Sequence, residues 1–75
     1  MSVKIIAGAW AEKYNAQGEV ALELQDGASI GDVLAGLPIP PNEIGVASLN
    51  GRAAPRTAKL RDGDKLELFP VIIDG

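Results

Sequence analysis

The chain contains no cysteine and no histidine. The first absence rules out disulfides and thiolate metal sites, and a small domain without such staples is expected in a reducing compartment, the cytoplasm. The second removes the commonest general base and metal ligand. Together they leave no means of building a Cys–His or Ser–His nucleophilic dyad, so a self-sufficient enzyme is not expected. Aromatics are almost as scarce: Trp10, Tyr14 and Phe69 are the only three, so the core must be made of Val, Ile, Leu and Ala. No stretch approaches the ~20 apolar residues of a membrane span, and no membrane association is expected. The first residues, Met1-Ser2-Val3-Lys4, show neither a long apolar run nor a cleavage site, so no signal peptide is expected.

Enough remains for one folded domain spanning residues 1–75. Apolar residues make up 47% of the 75 positions, too many for a disordered chain. At this length only about 60% of the unfolded surface can be buried, and stability is modest. The net charge of −3 argues against a nucleic-acid module, where a basic patch is expected. The cations are nevertheless uneven. Arg52, Arg56, Lys59, Arg61 and Lys65 fall within fourteen positions, either as a basic rim facing an acidic partner or as a solvated loop with scattered charge.

Hydrophobic periodicity orders the elements. Val3 to Ile6 reads as a β-branched strand, and Trp10 to Gly18 as a polar loop or short helical turn. Glu19 to Gln25 alternates polar and apolar at period two, the pattern of a half-buried strand closed by Asp26-Gly27. Ser29 is placed as a helix N-cap, with Asp32 three residues on in place of the usual Glu of a capping box. Ile30, Val33, Leu34 and Leu37 then give one apolar face, and Pro38, Pro40 and Pro41 stop the helix. Ile44 to Leu49 is a strand. Asn50-Gly51 is a hairpin turn, because a type I′ turn requires positive φ at both central positions. Arg52 to Ala54 is a short return strand, Asp62-Gly63 another turn, and Lys65 to Phe69 the last strand. Alternation along that strand sends Leu66 and Leu68 one way and Phe69 the other. If the leucines face the helix, Phe69 lies on the open face, where it is a candidate contact surface.

The fold class is therefore α+β: a mixed four- to five-stranded sheet with one main helix on one face, the plan of the β-grasp or ubiquitin-like fold. The motifs carry the likeness further. With Asn50-Gly51, Leu60-x-Asp62-Gly63-Asp64, the strand Leu66, Leu68, Phe69-Pro70 and a closing Gly75, the chain resembles the MoaD/ThiS family of prokaryotic sulfur carriers. That family includes the small subunit of molybdopterin synthase and the thiamin-pathway carrier. The helix opening from Asp26 to Leu34 is similar as well.

The resemblance implies a carrier without a catalytic side chain. A partner adenylating enzyme joins the terminal carboxylate, here Gly75, to AMP from ATP. Sulfur replaces AMP to give a thiocarboxylate, and the sulfur passes to a small-molecule precursor. No cofactor is bound; ATP is used by the partner. The implied site is Gly75 at the end of an extended tail, residues 70–75, that includes Ile72, Ile73 and Asp74. Phe69, Pro70 and Val71, with Arg52 and Arg61, are the partner-binding candidates. The implied partners are the adenylating enzyme and either a molybdopterin-synthase large subunit or a thiazole-forming enzyme, in molybdopterin, tungstopterin or thiamin-type synthesis.

One position departs from the pattern. Asp74 stands where the family has the first of two terminal glycines. Its Cβ restricts the backbone, and its carboxylate adds a second negative charge beside the one that must meet ATP. Three readings follow: a carrier with a matched activating enzyme, a β-grasp interaction module that has lost the chemistry, or a functional terminus set by processing. Asp62 and Asp64 suggest a turn rather than a metal pair, since a lone Asp-Gly-Asp lacks the six to eight oxygen ligands calcium takes.

Overall fold

A computed structural model describes residues 1–72. Five strands form one mixed sheet: β1 (Ser2–Ile6), β2 (Glu19–Glu23), β3 (Ile44–Leu49), β4 (Arg52–Ala53) and β5 (Lys65–Pro70), in the order β2-β1-β5-β3-β4. The pair β1–β5 is parallel and the other pairs are antiparallel. The helix α1 (Ile30–Gly36) lies on one face, and 3-10 turns cover Ala9–Tyr14 and Pro41–Glu43. No helix among the described residues is long and apolar enough to cross a membrane.

Period-two alternation sorts the side chains as the sequence requires. Val3 and Ile5 of β1, and Leu66 and Leu68 of β5, are each 2% exposed or less and pack under Ile30, Val33 and Leu34 of α1. Trp10 and Tyr14, half-buried, close one end of this core.

The start of α1 is satisfied on every side. The Asp32 amide donates to the Ser29 hydroxyl at 3.2 Å, and the Ser29 amide donates back to the Asp32 carboxylate at 2.9 Å, a complete capping box. The amides of Ile30 and Gly31 donate to the carbonyls of Ala58 and Arg56, so the helix end is tied to the loop before β5. Because Ser29 holds the Asp32 carboxylate through its amide first and its hydroxyl second, with a smaller pull from Lys59, that carboxyl stays below its ordinary pKa. The helix ends earlier than its apolar spacing predicts. Leu37 is extended at ψ 153°, since the ring of Pro38 disfavours the helical region for the residue before it.

The hairpin forms as expected. Asn50 and Gly51 have φ of 52° and 90° and link paired Leu49 and Arg52. Asn50 does more than turn the chain. Its side-chain carbonyl accepts from the Lys65 amide and its amide donates to the Asp64 carboxylate, both at 2.9 Å. The Asp64 carboxylate also accepts from the Arg61 amide, and the Asp62 carboxylate accepts from the Ser2 amide at 2.7 Å. The acidic turn is thus a set of backbone latches that pin the start of β5 between β1 and the hairpin.

β5 runs to Pro70, one residue past the predicted end. A proline is admissible there because β1 accompanies β5 only over Lys65–Glu67, whereas β3 stays beside it to Pro70. Beyond Glu67 the strand has become an edge, and a residue without an N–H breaks no ladder.

Candidate functional site: the open sheet face and the root of the tail

The face of the sheet away from α1 is divided along its length. Near the start of β5 it carries charge: Lys4 pairs with Glu19 at 3.3 Å, and Lys65 with Glu67 at 3.9 Å. Near the end of β5 it turns apolar. Phe69 stands opposite Val46 on β3, and the two are 46% and 48% exposed. These two apolar groups, left open beside each other, are the candidate contact surface on this face.

The tail leaves from this apolar end. Pro70 is half-buried and paired with Ile44, so it belongs to the sheet and not to the extended tail expected over residues 70–75. Val71 is exposed, but its amide still donates to the Glu43 carbonyl at 2.9 Å. Ile72 is 84% exposed. Ile73, Asp74 and Gly75, the positions that would carry the chemistry, lie outside the described residues.

The cations do not form one rim. Arg52 opposes Leu49, which in turn opposes Leu66. Arg52 therefore sits on the helix side of the sheet, away from Phe69, at the start of β5. Arg61 lies in the turn that begins β5, with its amide bonded to Asp64. Both are a strand's length, roughly 17–20 Å, from the tail. Arg56 is engaged elsewhere. One of its guanidinium nitrogens donates to the carbonyls of Pro41 and Ile44, both at 2.9 Å.

That contact is one of two features the sequence reading missed. The other is Gly45. The register between β3 and β5 shifts between Ile44 and Val46, so Gly45 is the extra residue of a bulge. A Cβ on Gly45 would lie 3.0 Å from the Pro70 carbonyl oxygen and 3.1 Å from the Val71 Cα. The available signal was a glycine inside a strand pattern, which marks a bulge or a close backbone approach.

On the opposite face, a shallow apolar crevice of about 290 Å³ opens where the short α1 leaves β2 partly uncovered. Its walls include Ile5, Val20, Leu22, Leu37 and Ile39, with Asn15 and Gln17, and among the described residues no titratable side chain lines it.

Five strands in this order, with one main helix across one face, make the chain a ubiquitin-like β-grasp protein. The chain belongs to the ThiS family, whose model matches residues 9–73. Among solved structures it is similar to Haloferax volcanii small archaeal modifier protein 1, with 25% identity and a TM-score of 0.75 over 95% of this chain and 98% of that one. It is also similar to a Pyrococcus furiosus protein assigned as molybdopterin converting factor subunit 1, with 20% identity and a TM-score of 0.75 over 96% and 99% of the two chains. A third likeness is to a chain in the complex of subunits 1 and 2 of the Helicobacter pylori molybdopterin-converting factor, with 16% identity and a TM-score of 0.63 over the whole of both chains. A search of curated proteins gives no match.

Proposed function

We propose that the chain is a sulfur carrier whose Gly75 carboxylate is the reacting group. A ThiS-family β-grasp body whose last strand runs past an exposed apolar patch into an exposed Ile72 is the observation that carries this reading. A carboxylate oxygen of Gly75 attacks the α-phosphorus of ATP on a partner adenylating enzyme, and pyrophosphate leaves. A hydrosulfide-level sulfur then attacks the acyl carbon, AMP leaves, and a thiocarboxylate remains to be passed to a cofactor precursor. The protein supplies no acid, base or metal to these steps. It supplies a carbonyl carbon at the end of a narrow stalk, with each extended residue adding about 3.3–3.6 Å of reach.

The rest of the surface serves recognition. Phe69, Pro70 and Val71 with Val46 offer the apolar area that a large partner subunit or a thiazole-forming enzyme covers. Arg52 and Arg61 lie at the end of β5 opposite to Pro70, so their proposed part is steering an acidic partner, an effect that salt screens over about 8–10 Å. Asp74 requires an activating enzyme with a cation or added room beside its catalytic channel. ATP as co-substrate and the lack of cysteine fit a cytoplasmic setting. Molybdopterin, tungstopterin and thiamin-type syntheses all consume sulfur in this form.

The likeness to the small archaeal modifier protein favours a second use of the same adenylate. A neutral lysine amine of another protein replaces sulfur as the nucleophile at the acyl carbon, AMP leaves, the nitrogen loses a proton, and an isopeptide bond forms. Deleting Asp74 and Gly75 separates both of these from a purely non-catalytic interaction module. Loss of adenylation with partner binding retained supports activation at the terminus; unchanged biological function after the deletion excludes it. The product then distinguishes carrier from modifier, a thiocarboxylate on this chain or a covalent adduct of higher mass.

A further inference from the structure

The root of the tail is held by backbone groups, and two side-chain choices hold that backbone. The Val71 amide donates to the Glu43 carbonyl at 2.9 Å. The Arg56 guanidinium reaches the carbonyls of Pro41 and Ile44, on either side of Glu43, and so fixes the segment that offers the acceptor. Gly45 follows directly. Its φ is not in the left-handed region, so conformational freedom does not explain a glycine here. Proximity does, because a Cβ would meet Pro70 and Val71 at 3.0 and 3.1 Å. Those are backbone atoms that yield only if the tail root itself moves.

We propose that Gly45 and Arg56 are positioning residues that set the direction in which the chain leaves the sheet after Pro70, and thereby the presentation of Gly75 to its activating enzyme. The proposal rests on the carrier reading above. A stalk whose root is fixed enters a partner's channel with less ordering left to do than one that swings freely. The two residues act at different points of one clamp. Arg56 holds the acceptor strand in place, and Gly45 leaves the space in which Pro70 and Val71 lie flat against it.

Two measurements on the full chain test this. The first is amide hydrogen exchange at Val71. Gly45→Ala and Arg56→Ala are each expected to speed it about tenfold, while the amides of Ile5 and Leu68 keep wild-type protection. The second is steady-state kinetics with an adenylating enzyme that accepts the wild-type chain. Both variants are expected to raise the KM for the carrier about fivefold with kcat unchanged, since the chemistry is intact once the tail is seated. Ala35→Gly, at an exposed helix position, lowers stability without touching the clamp and should leave KM alone. If Gly45→Ala does not fold, Arg56→Lys and Arg56→Ala keep the comparison.

Unchanged Val71 exchange in the folded variants, or a KM that rises as much in Ala35→Gly, overturns the proposal. A wild-type chain that no adenylating enzyme accepts counts instead against the carrier reading, and the exchange result still supports or overturns the clamp by itself.

Discussion

Val46 on β3 and Phe69 on β5 stand directly across the ladder from each other, and each leaves almost half of its surface open. A cross-strand apolar pair of this kind contributes to sheet stability only to the extent that it is buried. Its placement beside the tail root makes it the docking surface that the carrier proposal requires. Phe69→Ser is therefore expected to change stability by about 1 kcal/mol or less, while weakening binding to a large partner subunit at least tenfold, the ~1.4 kcal/mol of a modest hot spot. Titration calorimetry against that partner, beside a thermal melt, checks both halves. A large loss of stability with binding retained would place Phe69 in the fold and not in the interface.

The core offers a contrasting case. Leu34 and Leu66 are 2% and 0% exposed, and truncation of either leaves a cavity that the short helix cannot close. Each change to alanine is expected to cost about 2–5 kcal/mol, a large part of the total stability of a domain this small. Urea denaturation at constant m-value measures it, and a cost below 1 kcal/mol would mean that these leucines are not the centre of the core.

Asn50 combines two roles that substitution can separate. Asn50→Gly keeps the positive φ but loses the bonds to Lys65 and Asp64; Asn50→Ala loses both the bonds and the ease of the turn. The glycine variant is expected to cost about 1–2 kcal/mol and the alanine variant about 1 kcal/mol more. Equal costs in denaturant titration would show that backbone strain plays no part at this turn.

The capping box of α1 gives the clearest pH dependence. The Asp32 carboxyl is held below its ordinary pKa, first by the Ser29 amide. A carboxyl depressed in the folded state adds stability above its unfolded value, about 3.9, and loses it as pH falls through the folded value. Asp32→Asn should accordingly narrow the stability gap between pH 7 and acid relative to wild type: the contribution of the Asp32 carboxylate is present at neutral pH, and the two profiles differ in slope only below about pH 4, where wild type loses it. An identical pH profile for the two proteins would remove Asp32 from the cap's electrostatics.

Most of the architecture was legible because it rests on local periodicity. Period-two alternation put Leu66 and Leu68 on one face and Phe69 on the other, and the Asn50-Gly51 pair specified its turn through the sign of φ. Errors arose where an element's end depends on a neighbour. Leu37 fits the apolar stripe of α1, yet Pro38 turns it out of the helix. Pro70 belongs to β5 only because β1 has already left that strand. The arrangement of the candidate cations was not legible. Arg52, Arg56 and Arg61 are close in sequence, yet the topology sends Arg52 to the helix side, Arg61 to the far end of β5, and Arg56 to two carbonyls 12 and 15 positions away. Gly45 signals a bulge or a close approach by its residue type alone, but what approaches it lies in a chain segment twenty-five positions later.

The proposed carrier function turns on the fate of the Gly75 carboxylate. Intact-mass spectrometry of the chain, incubated with ATP, a sulfide source and the adenylating enzyme encoded nearest to it, is the most direct test. The expected result is the gain of one sulfur for one oxygen, localised to Gly75 by fragmentation, absent without ATP and absent in Gly75→Ala, with Asp74→Gly reacting at least as well as wild type. An unmodified wild-type terminus across such enzymes, or full modification of Gly75→Ala, would contradict it.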